Sequence, residues 1–289
     1  MPAFESVSFP GANGTTLAGT LDIPDGDPLG WAVFCHGFAL GKNSAAASRI
    51  SKGLSAQGIG VLRYDAAGLG RSTGTWADGS FSTKVADLLN AVDYLRSRDR
   101  PATLLVGHSL GGAAALAAAH AVPGLAALVT IAAPFRPSHV VHLFEDELET
   151  IARQGHAAVT LGGRTLTIRQ ELVDDLRSHD LAGRIGSLGV PLLVMHSPQD
   201  GTVDVDNASE IFQAARSPRS FVSLEGASHL MPDREQTTRA ADIIAAWSLV
   251  YLRRAREARL GAAQPREARL GAAQPREDSG HAGSAGGVA

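Results

Sequence analysis

The chain has 289 residues, a formal charge of −3, 44% hydrophobic residues and a single cysteine. That length can bury a substantial core. The near-neutral balance, with no basic run interleaved with aromatics in the body of the chain, leaves no general attraction for nucleic acid or acidic lipid. No apolar stretch reaches the roughly 18 residues of a membrane span, the N-terminus lacks the basic start and apolar core of a secretory leader, and Cys35 has no internal disulfide partner, so the expected compartment is the cytoplasm.

In chain order, residues 5–10 and 16–23 alternate around Asn13-Gly14 and predict an antiparallel hairpin. Residues 31–36 form an apolar strand running into Gly37-Phe38. Further strands are expected near 60–65, 103–107, 126–132, 190–196 and 220–224, separated by helical patterns. That alternation predicts an α/β architecture, a mostly parallel eight-stranded sheet with helices on both faces. Between 81 and 98, Val85, Leu88, Leu89, Val92 and Leu95 recur at three and four residues and predict a buried stripe, with Lys84, Asp87, Asn90 and Asp93 off it. Residues 65–72 contain Gly68 and Gly70 but neither phosphate-loop pattern in full, so they read as a structural turn.

The most telling stretch is Leu104-Leu105-Val106-Gly107-His108-Ser109-Leu110-Gly111-Gly112, an apolar strand, a serine between glycines and an alanine-rich helix. This is the strand-turn-helix context of G-x-S-x-G, in which side chains at Gly107 and Gly111 would clash and the serine hydroxyl is pushed into the open. Ser109 is the expected nucleophile. A serine near pH 7 needs a base and an acid that orients it, and in this context both follow in the order acid, then histidine. Asp200, on the turn after the 190–196 strand, is the expected acid; Asp204 and Asp206 are rivals placed where a helix would be capped. His229, in the loop after 220–224, is the expected general base.

Acyl transfer also needs donors for the developing oxyanion, which the backbone amides of Leu110 and Phe38 would supply. His108 is expected to support the elbow and His36 to hold the oxyanion loop. His139 and His142 are three apart, but no H-E-x-x-H motif or cysteine pair completes a metal site, so neither metal nor cofactor is expected. Cys35 reads as a small core residue.

Residues 135–188 exceed a simple crossover and predict a small cap containing a hairpin at 159–167. Within it Phe135, Leu143 and Phe144 either line the substrate pocket or fill the cap's own core. Residues 256–265 recur unchanged as 266–275, and their Gly, Pro and sparse leucines predict disorder beyond about 255, with a docking peptide or oligomerisation helix as the alternative. The expected organisation is a domain over 1–254 and a tail over 255–289.

These motifs resemble the α/β-hydrolase superfamily. Leu17-Ala18-Gly19-Thr20-Leu21-Asp22-Ile23-Pro24, Ala47-Ser48-Arg49-Ile50, Asp65-Ala66-Ala67-Gly68-Leu69-Gly70-Arg71-Ser72 and Phe221-Val222-Ser223-Leu224-Glu225-Gly226-Ala227-Ser228-His229-Leu230 further resemble the hydrolase half of bacterial proteins that join such a domain to an OsmC-type peroxidase. No OsmC-type domain with its cysteine pair follows in this sequence, so the likeness implies no peroxidase function. It implies the α/β-hydrolase fold and a cofactor-independent serine hydrolase, with small or medium acyl esters as substrates. Thioester or peptide cleavage, perhydrolysis, or a non-catalytic binding module are the alternatives. Epoxide and haloalkane hydrolysis are disfavoured because serine stands where those relatives carry aspartate. A small-molecule ester is the expected partner, with no nucleic acid and no membrane; a homo-oligomer stays open.

Overall fold

The computed structural model of the protein describes residues 3–161, 163–216 and 218–263. Its strands are β1 (Ala3–Pro10), β2 (Thr16–Ile23), β3 (Gly30–Cys35), β4 (Ile59–Tyr64), β5 (Ala102–His108), β6 (Ala127–Ile131), β7 (His156–Leu161), β8 (Arg164–Arg169), β9 (Leu192–His196) and β10 (Arg219–Ser223). The α-helices are α1 (Ala45–Ala56), α2 (Phe81–Arg96), α3 (Leu110–Ala118), α4 (Leu148–Gln154), α5 (Gln170–Ser178), α6 (Ala182–Gly186), α7 (Asp206–Ala214) and α8 (Arg234–Ala263).

Eight strands form one sheet in the order β1-β2-β4-β3-β5-β6-β9-β10. β2 runs against both neighbours and every other pairing from β4 to β10 is parallel, so the exits of six consecutive strands open on one edge. The expected eight-stranded, mostly parallel sheet is therefore present. Alternate residues of the central strands serve two separate cores, as the pleat requires. Val33, Leu62, Leu105, Leu128, Leu192 and Val194 pack with α2 and α3, whereas Ala32, Phe34, Val61, Leu104, Val106, Leu193 and Met195 pack with α1 and α8. Each fully buried Leu, Val or Phe contributes about 1.5–3 kcal/mol.

The β1–β2 turn is a short 3-10 segment over Ala12–Gly14 with Asn13 at φ 53°. Its Ala12 amide donates to Asp87 Oδ1 at 2.7 Å, and this corrects the reading of α2. Leu88, Val92 and Leu95 are buried as expected, but Asp87 is buried too, because the turn folds across the helix and supplies a hydrogen bond that replaces water. Burial pushes the Asp87 carboxyl up, despite that bond and the nearby Lys84 charge. α2 starts at a capping box in which Ser80 Oγ accepts from the Thr83 amide and Thr83 Oγ1 accepts from the Ser80 amide.

Between β6 and β9 the chain builds a cap from a 3-10 run (Pro137–Glu147), α4, the β7–β8 hairpin, α5 and α6. The hairpin is longer than expected, pairing His156 with Arg169 through Leu161 with Arg164. A second difference concerns the C-terminal segment. Composition predicts that order fades beyond about 255, yet α8 continues to Ala263, its residues there, apart from Gly261, being strong helix formers and Arg256 pairing with Asp27. The rest of the duplicated segment lies outside the described residues. No helix among the described residues is long and apolar enough to cross a membrane.

Candidate active site

Ser109 sits between β5 and α3 with φ 55° and ψ −130°. A non-glycine residue in that region costs on the order of 1–3 kcal/mol, so its surroundings must hold it there. The Ser109 amide donates to Ile131 O at 2.8 Å, tying the elbow to β6. The glycines around it are required by close approach. A Cβ at Gly107 would lie 2.4 Å from Gly111 O, one at Gly111 would lie 2.1 Å from Cys35 O, and one at Gly112 would lie 2.5 Å from the Ala133 Cβ. The all-buried, alanine-rich α3 can therefore sit tightly on the sheet with its first turn beneath the serine.

The turn after β9 brings Asp200 and the loop after β10 brings His229 to the same edge. His229 Nδ1–H donates to Asp200 Oδ2 at 2.8 Å, and Ser109 Oγ–H donates to His229 Nε2 at 2.9 Å. All three side chains are buried, with Ser109 5%, Asp200 8% and His229 9% exposed, so their contacts are shielded from water. Asp200 Oδ1 also accepts from the amides of Thr202 and Val203 at 2.9 and 3.0 Å. Burial alone would raise the Asp200 carboxyl, but the His229 hydrogen bond and charge together with those two amides hold it below its usual range. Asp204 and Asp206 are exposed, and Asp204 Oδ1 accepts from the Asp206 amide at 2.8 Å, a local turn contact.

The loop after β3 passes directly over the elbow: a Cβ on Gly37 would lie 3.0 Å from the Ser109 Cβ. Among the described residues neither the Phe38 amide nor the Leu110 amide has a hydrogen-bond partner, so both are free to donate. The Phe38 N–H and the Gly37 carbonyl share one peptide plane. Gly37 O accepts from His36 Nδ1–H at 2.9 Å and from Lys84 Nζ at 3.4 Å, which fixes that plane and polarises it toward donation at Phe38. Burial, then the Lys84 charge, keeps His36 well below its ordinary range and hence neutral.

Two further histidines brace these three residues. His108 Nε2–H donates to the His229 carbonyl at 2.8 Å, bracing the loop that carries the imidazole. Burial, followed by the His229 charge, lowers His108 to about 4. His196, at the end of β9, is a supporting residue that the sequence motifs do not single out. Its Nε2–H donates to Val203 O at 2.8 Å and lies 3.6 Å from Asp200 Oδ2, so it secures the turn that presents Asp200. Its position at the exit of the strand before Asp200 is the available signal. Lys84 escapes sequence reasoning as well, because its contact with Gly37 spans 47 residues.

A cleft of about 1050 Å³ opens over Ser109 and His229 and extends past Phe38, Lys42 and Asp65 to the β1–β2 hairpin, with Leu143, Leu161 and Arg164 of the cap along it. Of the three cap residues expected at a pocket, Leu143 lines this cleft. Phe135 and Phe144 do not: both are buried in the core beneath the cap, Phe144 with its ring 6.1 Å from that of Phe38. His139 and His142 pack edge to face at 4.8 Å; His142 Nδ1–H bonds to His139 O, and His139 Nε2–H donates to Thr202 O at 3.3 Å. Cys35 is buried, accepts from the Tyr64 hydroxyl at 3.6 Å, and its thiol is pushed up by burial.

The strand order, the single reversed strand β2 and the elbow at Ser109 are those of the α/β-hydrolase fold, and the chain is an α/β hydrolase. Residues 26–184, more than half of the chain, match the Hydrolase_4 family, described as serine aminopeptidase, S33, and the chain belongs to that family. It is similar to the esterase domain of a Rhodothermus marinus protein, at 39% identity and a TM-score of 0.72 over 86% of this chain and 99% of that one. Est1E from Butyrivibrio proteoclasticus, solved with ferulic acid bound, shares the fold at 20% identity and a TM-score of 0.68, over 85% of this chain and 99% of that one. No curated protein sequence matches the chain. The finer likeness to OsmC-linked hydrolases rests on the sequence segments alone.

Proposed function

We propose that the protein is a cytoplasmic serine carboxylesterase acting on small or medium acyl esters. The observation that carries this reading is the connected relay Asp200–His229–Ser109, with contacts of 2.8 and 2.9 Å, beneath an open cleft. His229 Nε2 takes the hydroxyl proton as Ser109 Oγ bonds to the ester carbonyl carbon. The carbonyl oxygen becomes negative and is held by the Phe38 and Leu110 amides, while Asp200 stabilises the imidazolium. Collapse breaks the bond to the alkoxy oxygen, which leaves with the proton from His229. Water then attacks the acyl-enzyme, giving its proton to His229, and the acid departs as Ser109 recovers its hydrogen.

Peptide cleavage is the reading suggested by the family's description. An aminopeptidase must bind the substrate's ammonium group, and the one carboxylate lining the cleft among the described residues, Asp65, is already paired with Lys42. That favours esters. The test is labelling with a fluorophosphonate probe together with turnover of an acyl-chain series of chromogenic esters, with thioester and anilide members included. The wild type is expected to label and to prefer esters, and Ser109→Ala to lose label and at least ~10⁴-fold in kcat with the fold intact. Wild-type turnover in Ser109→Ala would refute the assignment.

A further inference from the structure

We propose that the ester cleaved at this site carries a carboxylate and that Arg71 and Arg164 bind it. This rests on the esterase reading and names the substrate class it serves. A cleft of about 1050 Å³ exceeds what a short acyl group and a small alcohol occupy, so a substrate matched to it reaches beyond the scissile bond. What it meets there is positive. Among the described residues, the charged groups along the cleft besides His229 are Lys42, Arg71 and Arg164 against the single carboxylate of Asp65.

Asp65 has no charge to spare for the arginines. Its carboxylate pairs with Lys42 Nζ and accepts from the Lys42 amide at 2.9 Å and the Arg71 amide at 3.3 Å, and the residue is 3% exposed. The same contacts place Arg71. Gly70, at φ 56°, wraps the loop so closely that a Cβ would lie 2.1 Å from Asp65 Oδ2, so the acid fixes the backbone that presents the guanidinium. From the cap, Arg164 begins β8 and pairs across the hairpin with Leu161, itself a cleft residue. Both arginines are exposed, and among the described residues neither side chain has an ion pair or hydrogen bond. Two unpaired guanidiniums in one concavity attract an anion and can grip a carboxylate with paired N–H donors.

The carboxylate can belong to the acyl half or to the alcohol half of the ester, and paired substrates separate the two. Monoethyl adipate against ethyl hexanoate tests the acyl side by titrating released acid; 3-acetoxybenzoate against 3-acetoxybenzamide tests the alcohol side by phenol absorbance. In at least one pair the anionic member is expected to have a kcat/KM about 10-fold higher or more at low ionic strength. That ratio should shrink as salt is raised and fall toward one in the Arg71→Met/Arg164→Met double variant. Arg164→Glu, a change at an exposed position, should turn it in favour of the neutral ester. Neutral esters preferred in both pairs by a wild type that labels with fluorophosphonate would overturn the carboxylate proposal and leave the esterase standing. A preference that survives in the double variant overturns it equally. A wild type that neither labels nor cleaves any ester overturns both.

Discussion

The strand-exit edge and the cap solve different problems with different materials. At the edge, each group with a proposed chemical role hangs from a turn directly after a parallel strand and is braced from behind by a buried polar contact: Ser109 by Ile131, Asp200 by the Thr202 and Val203 amides, His229 by His108. The cap is a stack of short helices and one hairpin whose apolar residues join the core on the α2–α3 side of the sheet, leaving Leu143, Leu161 and Arg164 toward the cleft. Rigid positioning suits bond making; a thin, locally folded cover suits substrate choice, since its lining can change without disturbing the sheet.

That division is broken most directly at the edge. Asp200→Asn removes the acceptor that fixes the His229 tautomer and is expected to lower kcat by about 10⁴-fold. The loss should be similar for every ester in a chain-length series, anionic or neutral; a loss confined to some substrates would mean that the edge also selects.

Acid tests the bracing behind it. His108 falls to about 4 in the fold, against about 6.5 for a free histidine. The unfolded chain therefore binds the extra proton first, and the contribution is intact above about pH 6.5 and lost as pH falls through about 4. This amounts to on the order of 3 kcal/mol. Denaturant unfolding from pH 7 to 4 should show that decline, added to by the likewise depressed His36 and His196. In His108→Gln the decline should be shallower; an unchanged slope would remove His108 from the account.

A smaller effect is expected from Lys84, a positioning residue that reaches the proposed oxyanion donor, the Phe38 amide, only through the Gly37 carbonyl. Lys84→Met should lower kcat about 10-fold with KM little changed, weaken binding of a boronate transition-state analogue in parallel, and leave Tm nearly unaltered. Lys84→Arg should recover part of the loss. A rise in KM with kcat intact would assign Lys84 to ground-state binding instead.

The sequence discloses the edge better than the cover. A nucleophile elbow is a local pattern, since the glycines, the strand and the helix fall within about a dozen residues. The partners of Ser109 can be located because parallel strands alternate with helices and each exit turn has a known place in the order. Whether Phe135 and Phe144 face a substrate or a core depends on how the cap settles onto the sheet, which no spacing encodes. The burial of Asp87 depends on the β1–β2 turn, and the Lys84 contact on a loop far away in the chain. The length of α8 is hidden for a related reason. Glycine and proline signals are local, but the Arg256–Asp27 pair joins residues 229 positions apart.

α8 leaves the body at the far end from the chemistry. Its last fully buried side chain, Leu252, lies beside Gly30 at the start of β3, and Arg256 is tethered to Asp27 just before that strand. The helix runs on to Ala263, roughly 16 Å past Leu252 at 1.5 Å per residue. The end of α8 thus lies on the basal side. A surface, a dye or a second protein attached there sits behind the sheet, with the mouth of the enzyme still facing the solution.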